Sequence, residues 1–160
     1  MKNTFLTLIS LFLVALTGNA QDNFTWGNAT VYFVITDRFA NGDATNDVNY
    51  GRKNDYGSER LNAATFHGGD FKGMTEKAKQ GYFKDMGIDV VWMTDVYEQI
   101  HGWMSGSGPI NDFPHYGYHG YYPLDYTQID KNYGTVEEFR ELVDVLHSQG
   151  IRVMLGANIN

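Results

Sequence analysis

Three short apolar runs, at residues 31–36 (Val-Tyr-Phe-Val-Ile-Thr), 88–94 (Ile-Asp-Val-Val-Trp-Met-Thr) and 151–155 (Ile-Arg-Val-Met-Leu), constrain this chain more than any other feature. Each is continuous rather than alternating, and is rich in β-branched and aromatic side chains, as strands buried on both faces are. Between the first two, residues 75–86 carry Ala78, Tyr82, Phe83 and Met86 at helical spacing, with Gly87 placed as a stop. Between the second and third, Thr135 and Glu138 have the spacing of a capping box. The helix they start puts Phe139, Leu142, Val143 and Leu146 on one face and ends at Gly150. Strand, helix, strand, helix, strand predicts an α/β fold with a parallel sheet and right-handed crossovers.

The connections that follow the first two strands are long. Residues 37–70 are polar and turn-rich, and residues 95–133 read as a second loop. In parallel α/β folds the carboxyl ends of strands are where sites are built, and long loops there are usually functional. The second loop contains residues 115–126, a stretch of twelve holding five tyrosines and two histidines. Flat rings with a polar tip suit a sugar, offering an apolar face and a hydrogen bond together; the alternative is a tyrosine-rich cap on the sheet. His115 and His119 have the four-residue spacing of a zinc pair. With Gly117 between them and Pro114 just before, no helix gives that spacing meaning.

The first loop gathers hard oxygen donors. Asn41, Asp43, Asn46 and Asp47, with Asp70 after a Gly-Gly turn, could hold calcium, although the spacing is not that of an EF-hand and Asn/Asp/Gly clusters also simply make turns.

Residues 1–20 have a secretory signal pattern: Lys2, an apolar run over residues 5–16, and a small-x-small site ending at Ala20, which makes Gln21 the expected first mature residue. The apolar core is too short to span a bilayer, so no stable membrane insertion is expected. Removing the leader takes away Lys2 and no acid, so the net charge falls from −7 to −8. Such acidity disfavours nucleic acid and anionic membrane surfaces as partners. Without a cysteine the chain has no disulfide, thiolate metal site or cysteine nucleophile. It also carries no Gly-x-Gly-x-x-Gly after the first strand, no phosphate loop ending in Gly-Lys-Ser/Thr and no Gly-x-Ser-x-Gly elbow.

Five motifs in order resemble one family. Residues 31–43 (Val-Tyr-Phe-Val-Ile-Thr-Asp-Arg-Phe-Ala-Asn-Gly-Asp), 67–70 (His-Gly-Gly-Asp), 118–122 (Tyr-His-Gly-Tyr-Tyr), 130–134 (Asp-Lys-Asn-Tyr-Gly) and 151–155 are similar to the N-terminal third of α-amylase-family glycoside hydrolases. Residues 98–103 (Glu-Gln-Ile-His-Gly-Trp) and 112–116 (Asp-Phe-Pro-His-Tyr) resemble, more narrowly, the exported bacterial periplasmic members. The resemblance implies a (β/α)8 TIM barrel of which residues 21–160 hold the first two β/α units and the third strand, acting on an α-1,4-glucan substrate. It implies Ca2+ held by Asn41, Asp43, Asn46, Asp47, the Gly68 carbonyl and Asp70, with Asn160 at a second calcium site. It implies that His119 and Tyr121 contact the sugar ring before the scissile bond, the tyrosine by stacking.

The resemblance also implies what is missing. Retaining hydrolysis needs two carboxylates about 5–5.5 Å apart, and the family takes its catalytic acids from strands four, five and seven. None of Asp37, Asp95 and Asp125 matches those positions, so no catalytic residue is assigned. Gly156 stands where the family has an aspartate, and Asn158 falls in an expected buried strand, where its amide must find partners. A full barrel takes about 250 residues, so the chain alone is expected to be marginal and inactive on starch. The alternative is a non-catalytic sugar- or calcium-binding remnant of that family; a third reading is a three-stranded doubly wound binding domain.

Overall fold

The structure is a computed structural model that describes residues 24–52, 63–104 and 115–159. The expected leader, Asn160, and residues 112–114 of the second motif pair lie outside the described residues. The three apolar runs form the expected parallel sheet: β1 (Val31–Val34), β2 (Val90–Met93) and a last strand, β5 (Arg152–Leu155), in the order β1-β2-β5. Phe33 pairs with Trp92 and Trp92 with Met154, so the three strands run in step. β1 is shorter than its apolar run because the chain turns out of the sheet at its carboxyl end, where Thr36 to Arg38 is already a 3-10 turn, whereas β2 and β5 begin two residues and one residue into theirs.

One face of the sheet is covered by helices. Tyr32, Val34, Val91, Met93, Val153 and Leu155 pack against Phe71, Met74, Ala78, Phe83, Leu142 and Leu146. Each large side chain sealed there contributes about 1.5–3 kcal/mol of transfer free energy. On the other face Val31, Phe33 and Trp92 remain exposed, with the Phe33 and Trp92 rings edge to face at 5.0 Å.

The first helix differs from the reading at 75–86. It starts earlier, as α1 (Phe71–Lys79), because Asp70 caps it: the carboxylate accepts from the Gly73 amide at 2.6 Å. It breaks after Gln80, where Gly81 takes φ +85°, a left-handed conformation cheap only for glycine, and restarts as the single turn α2 (Tyr82–Asp85). The break rotates the second turn. Ala78 and Phe83 are fully buried as the spacing predicts, whereas Tyr82 and Met86 face outward.

The second helix, α3 (Val136–Ser148), has the predicted box. The Thr135 amide donates to Glu138 Oε2 at 2.8 Å and the Glu138 amide to Thr135 Oγ1 at 3.2 Å. Leu142 and Leu146 are sealed while Val143 is half-buried.

The expected loop at 95–133 is not all loop. Two strands, β3 (Tyr97–Gln99) and β4 (Pro123–Ile129), pair antiparallel in an irregular ribbon with register shifts around Glu98. Neither strand alternates cleanly between apolar and polar side chains, so the period-2 signal is absent from the sequence. Arg52 pins the ribbon from below. Its fully buried guanidinium pairs with Asp130 at 2.7 Å, and donates to Asn132 Oδ1 at 3.0 Å and to the Gln99 carbonyl at 2.5 Å.

Candidate functional site

A cleft of about 330 Å³ opens at the carboxyl ends of β2 and β5, lined by Trp92, Thr94, Asp95, Tyr121, Gly156, Ala157 and Asn158. The sheet ladder carries its floor upward, through Thr94 N to the Val34 carbonyl (3.1 Å) and Gly156 N to the Met93 carbonyl (2.8 Å). The tyrosine-rich stretch folds over this end. Gly120 lets it come down: at φ +87° it lies so close that a Cβ would be 2.5 Å from the Asp95 carbonyl oxygen. Tyr133 Oη donates to the Tyr118 carbonyl at 2.9 Å, and the Arg38 guanidinium lies 3.8 Å over the Tyr118 ring. The Tyr122 amide donates to Gln99 Oε1 at 2.7 Å, tying the stretch to the ribbon.

The structure brings His119 and Tyr121 together. Their rings lie nearly parallel with centroids 5.2 Å apart, and the Tyr121 amide donates to His119 Nδ1 at 2.9 Å. Burial pushes the His119 pKa down to about 4, helped by the charges of His115 and Arg38. The imidazole is therefore neutral near pH 7. With Nδ1 accepting, the assigned proton sits on Nε2, which is then a donor. Tyr121 lines the cleft and keeps 43% of its surface exposed, enough to offer a ring face. His115 Nε2 lies 3.0 Å from Tyr122 Oη.

The oxygen donors of the first loop also converge. Asn41 Nδ2 donates to Asp47 Oδ1 at 2.7 Å, and a Cβ on Gly68 would lie 2.5 Å from the one and 2.6 Å from the other. Asp70 accepts from the amides of Gly42 (3.0 Å), Asp43 (2.8 Å) and Gly73 (2.6 Å) and from Asn46 Nδ2 (3.2 Å). Asn46 Oδ1 is buried with no hydrogen-bond partner among the described residues. The Asp47 carboxyl is held above its ordinary value by burial, and the nearby charges of Asp70 and Asp43 add to the shift, although Asn41 opposes it. An orphaned buried oxygen among mutually repelling carboxylates fits a hard cation. Among the described residues no three Asp, Glu, His or Cys side chains form a metal-holding group, so the donor set would depend on carboxamide and carbonyl oxygens.

Comparison with known proteins agrees with this arrangement. The α-amylase catalytic-domain profile matches residues 33–160. The chain belongs to the α-amylase family. Among curated α-amylase-family relatives it is 49% identical over 137 residues to a periplasmic α-amylase of Escherichia coli K12, covering 86% of this chain and 19% of that protein. It is 35% identical over 151 residues to a β/α-amylase of Paenibacillus polymyxa, covering 94% of this chain and 11% of that one. The solved structure of the cyclomaltodextrin glucanotransferase CldA superposes with a TM-score of 0.66 at 36% identity, over 79% of this chain and 24% of that chain. An Anoxybacillus α-amylase superposes at 0.62 with 28% identity, over 83% and 24%. The chain thus spans about a fifth or less of the curated relatives named here.

The sequence assigns no site role to several polar groups at or near these strand ends. Asp95 is sealed from solvent and its Oδ2 accepts from the Asn158 amide at 2.7 Å. Asn158 lies beyond β5 rather than within a strand, and its amide side chain donates to the Tyr121 carbonyl at 3.2 Å. Thr94 Oγ1 is buried without a partner among the described residues. Asp37 accepts from the His67 amide at 2.9 Å and the Gly68 amide at 3.2 Å, and its carboxyl is pushed up to about 7 by burial, against the pull of those amides and of Arg38. The usable signal is position: Asp37 and Asp95 each directly follow an apolar run, where strand-end side chains face a site.

Proposed function

We propose that this chain is the substrate-contacting part of an exported α-glucan hydrolase of the retaining α-amylase type, built on the first two β/α units and third strand of a (β/α)8 barrel. The observation that carries the reading is the neutral His119 beside the exposed Tyr121 ring at the carboxyl end of a parallel sheet. Tyr121 offers the apolar face on which a pyranose lies, and His119 Nε2–H donates to a sugar hydroxyl without a charge to desolvate.

None of Asp37, Asp95 and Asp125 is assigned the cutting role in this reading. Asp95 is held by the Asn158 amide, Asp125 accepts from Thr127 N and Oγ1 at 2.7 Å each, and Asp37 supports the amides of His67 and Gly68. All three are committed to structure, which supports the reading that the chain alone is inactive. Calcium would be held by Asn41, Asp43, Asn46, Asp47, the Gly68 carbonyl and Asp70, with Asn160 toward a second site; its contribution is charge neutralisation that fixes the first loop. The leader pattern and the periplasmic α-amylase among the relatives support the export reading.

Calorimetric titration with maltoheptaose tests the reading. Binding by the chain should weaken at least tenfold in Tyr121→Ala and His119→Ala, about 1.4 kcal/mol. No binding by the wild-type chain, or equal binding by both variants, would refute it. Release of reducing ends from starch by the 160-residue chain would refute its lack of catalytic carboxylates.

A further inference from the structure

We propose that Asp95 is a positioning residue of this cleft: its carboxylate, entering from the end of β2, occupies the space of a side chain on Gly156 and locks the Tyr121 platform to the strand ends. The inference deepens the α-glucan reading and rests on it.

The parallel register creates the juxtaposition. Met93 pairs with Leu155, so residues 94–95 and 156–158 leave the sheet side by side. A Cβ on Gly156 would lie 2.4 Å from Asp95 Oδ1, a separation that real side chains do not adopt. A side chain on Gly156 would displace the Asp95 carboxylate, which fills that space here. Its other oxygen accepts from the Asn158 amide at 2.7 Å. Asn158 passes the restraint on, donating to the Tyr121 carbonyl at 3.2 Å and accepting from Tyr126 Oη at its own carbonyl. The Asp95 backbone meanwhile seats Gly120, directly before Tyr121. One buried residue therefore joins the end of β2, the segment after β5 and the tyrosine stretch. Burying a carboxylate is unfavourable unless it is well hydrogen-bonded. Among the described residues, the Asn158 amide is the hydrogen bond this one gains, which suits a group retained for placement more than for stability.

A transposition experiment on the full chain tests this, with maltoheptaose affinity and amide hydrogen exchange at Asn158 and Tyr121 as readouts. Asp95→Ala should weaken binding at least tenfold and speed exchange at both amides at least tenfold. Gly156→Asp alone should do the same, because the two carboxylates compete for one space. The double variant D95A/G156D restores a carboxylate from the neighbouring strand and should return both readouts to within about threefold of wild type. Asp95→Asn keeps shape and acceptor and should leave exchange near wild type. A double variant no better than the worse single one, or Asp95→Asn exchanging as fast as Asp95→Ala, would overturn the proposal. If wild type binds no maltoheptaose the α-glucan reading fails, and the exchange rates still decide the role of Asp95: unchanged rates in Asp95→Ala overturn it, accelerated and rescued rates uphold it.

Discussion

Replacing Arg52 by methionine removes a guanidinium that is fully buried and makes four hydrogen bonds among the described residues: to Asp130 (2.7 Å), Asn132 (3.0 Å), the Gln99 carbonyl (2.5 Å) and the Ile100 carbonyl (3.3 Å). Methionine replaces most of the volume but none of the donors. The Asp130 carboxylate keeps the amides of Gln99 (2.8 Å) and Asn132 (2.9 Å), so it is not stripped of every partner. It becomes an uncompensated buried charge, a change that costs about 3–5 kcal/mol. A domain has only about 5–15 kcal/mol in all, so Arg52→Met should unfold at far lower urea concentration, with the β3–β4 ribbon and the tyrosine stretch it carries loosened first. Lysine keeps a charge but cannot form the fork to Asp130, Asn132 and the two carbonyls together, so Arg52→Lys should lose about 1–3 kcal/mol. The double variant R52M/D130N removes both charges and keeps a carboxamide acceptor at position 130 for one of the two amides, so it should be more stable than Arg52→Met alone. Equilibrium urea unfolding followed by tryptophan fluorescence measures all three. A loss below about 1 kcal/mol in Arg52→Met, or a double variant weaker than the single, would refute the argument that the ion pair's partner, left alone, is the source of the cost.

Other perturbations separate the roles of the two loops. Gly120→Ala places a methyl against the Asp95 carbonyl and forces φ +87° on an L side chain; it should destabilise by about 1–3 kcal/mol in urea and weaken maltoheptaose binding, and unchanged affinity would count against Gly120 as the seat of the platform. His119 has its folded pKa depressed to about 4 against an ordinary 6.5. Its contribution to stability is therefore full above pH 6.5 and lost as pH falls through 4, so stability should decline between those values with a slope that His119→Gln reduces. Asp47→Asn relieves the repulsion from Asp70 and Asp43. In chelator it should melt at or above wild type, and in millimolar Ca2+ below it; a variant that melts below wild type in both conditions would argue against a cation at this loop.

Much of the arrangement was legible locally. The continuous apolar runs mark β1, β2 and β5, and Thr135 with Glu138 marks the start of α3, because each signal lies within a few residues of the element it specifies. The break at Gly81 was missed because helical spacing persists across it in sequence; the rotation of the second turn is invisible until Asp70 is known to cap the helix four residues ahead of the expected start. The β3–β4 ribbon was missed because its ladder joins segments 24 or more residues apart with shifted register, leaving no alternation to read.

By itself, then, the sequence determined the succession of strands and helices along the chain and the aromatic and oxygen-rich character of the two loops. Tertiary structure alone decided that Arg52 is buried on Asp130, 78 residues on, and that Asp95 fills the space above Gly156. The first depends on a loop that closes under the antiparallel ribbon, the second on the parallel register that sets the ends of β2 and β5 side by side; both are properties of packed strands rather than of any local run of residues.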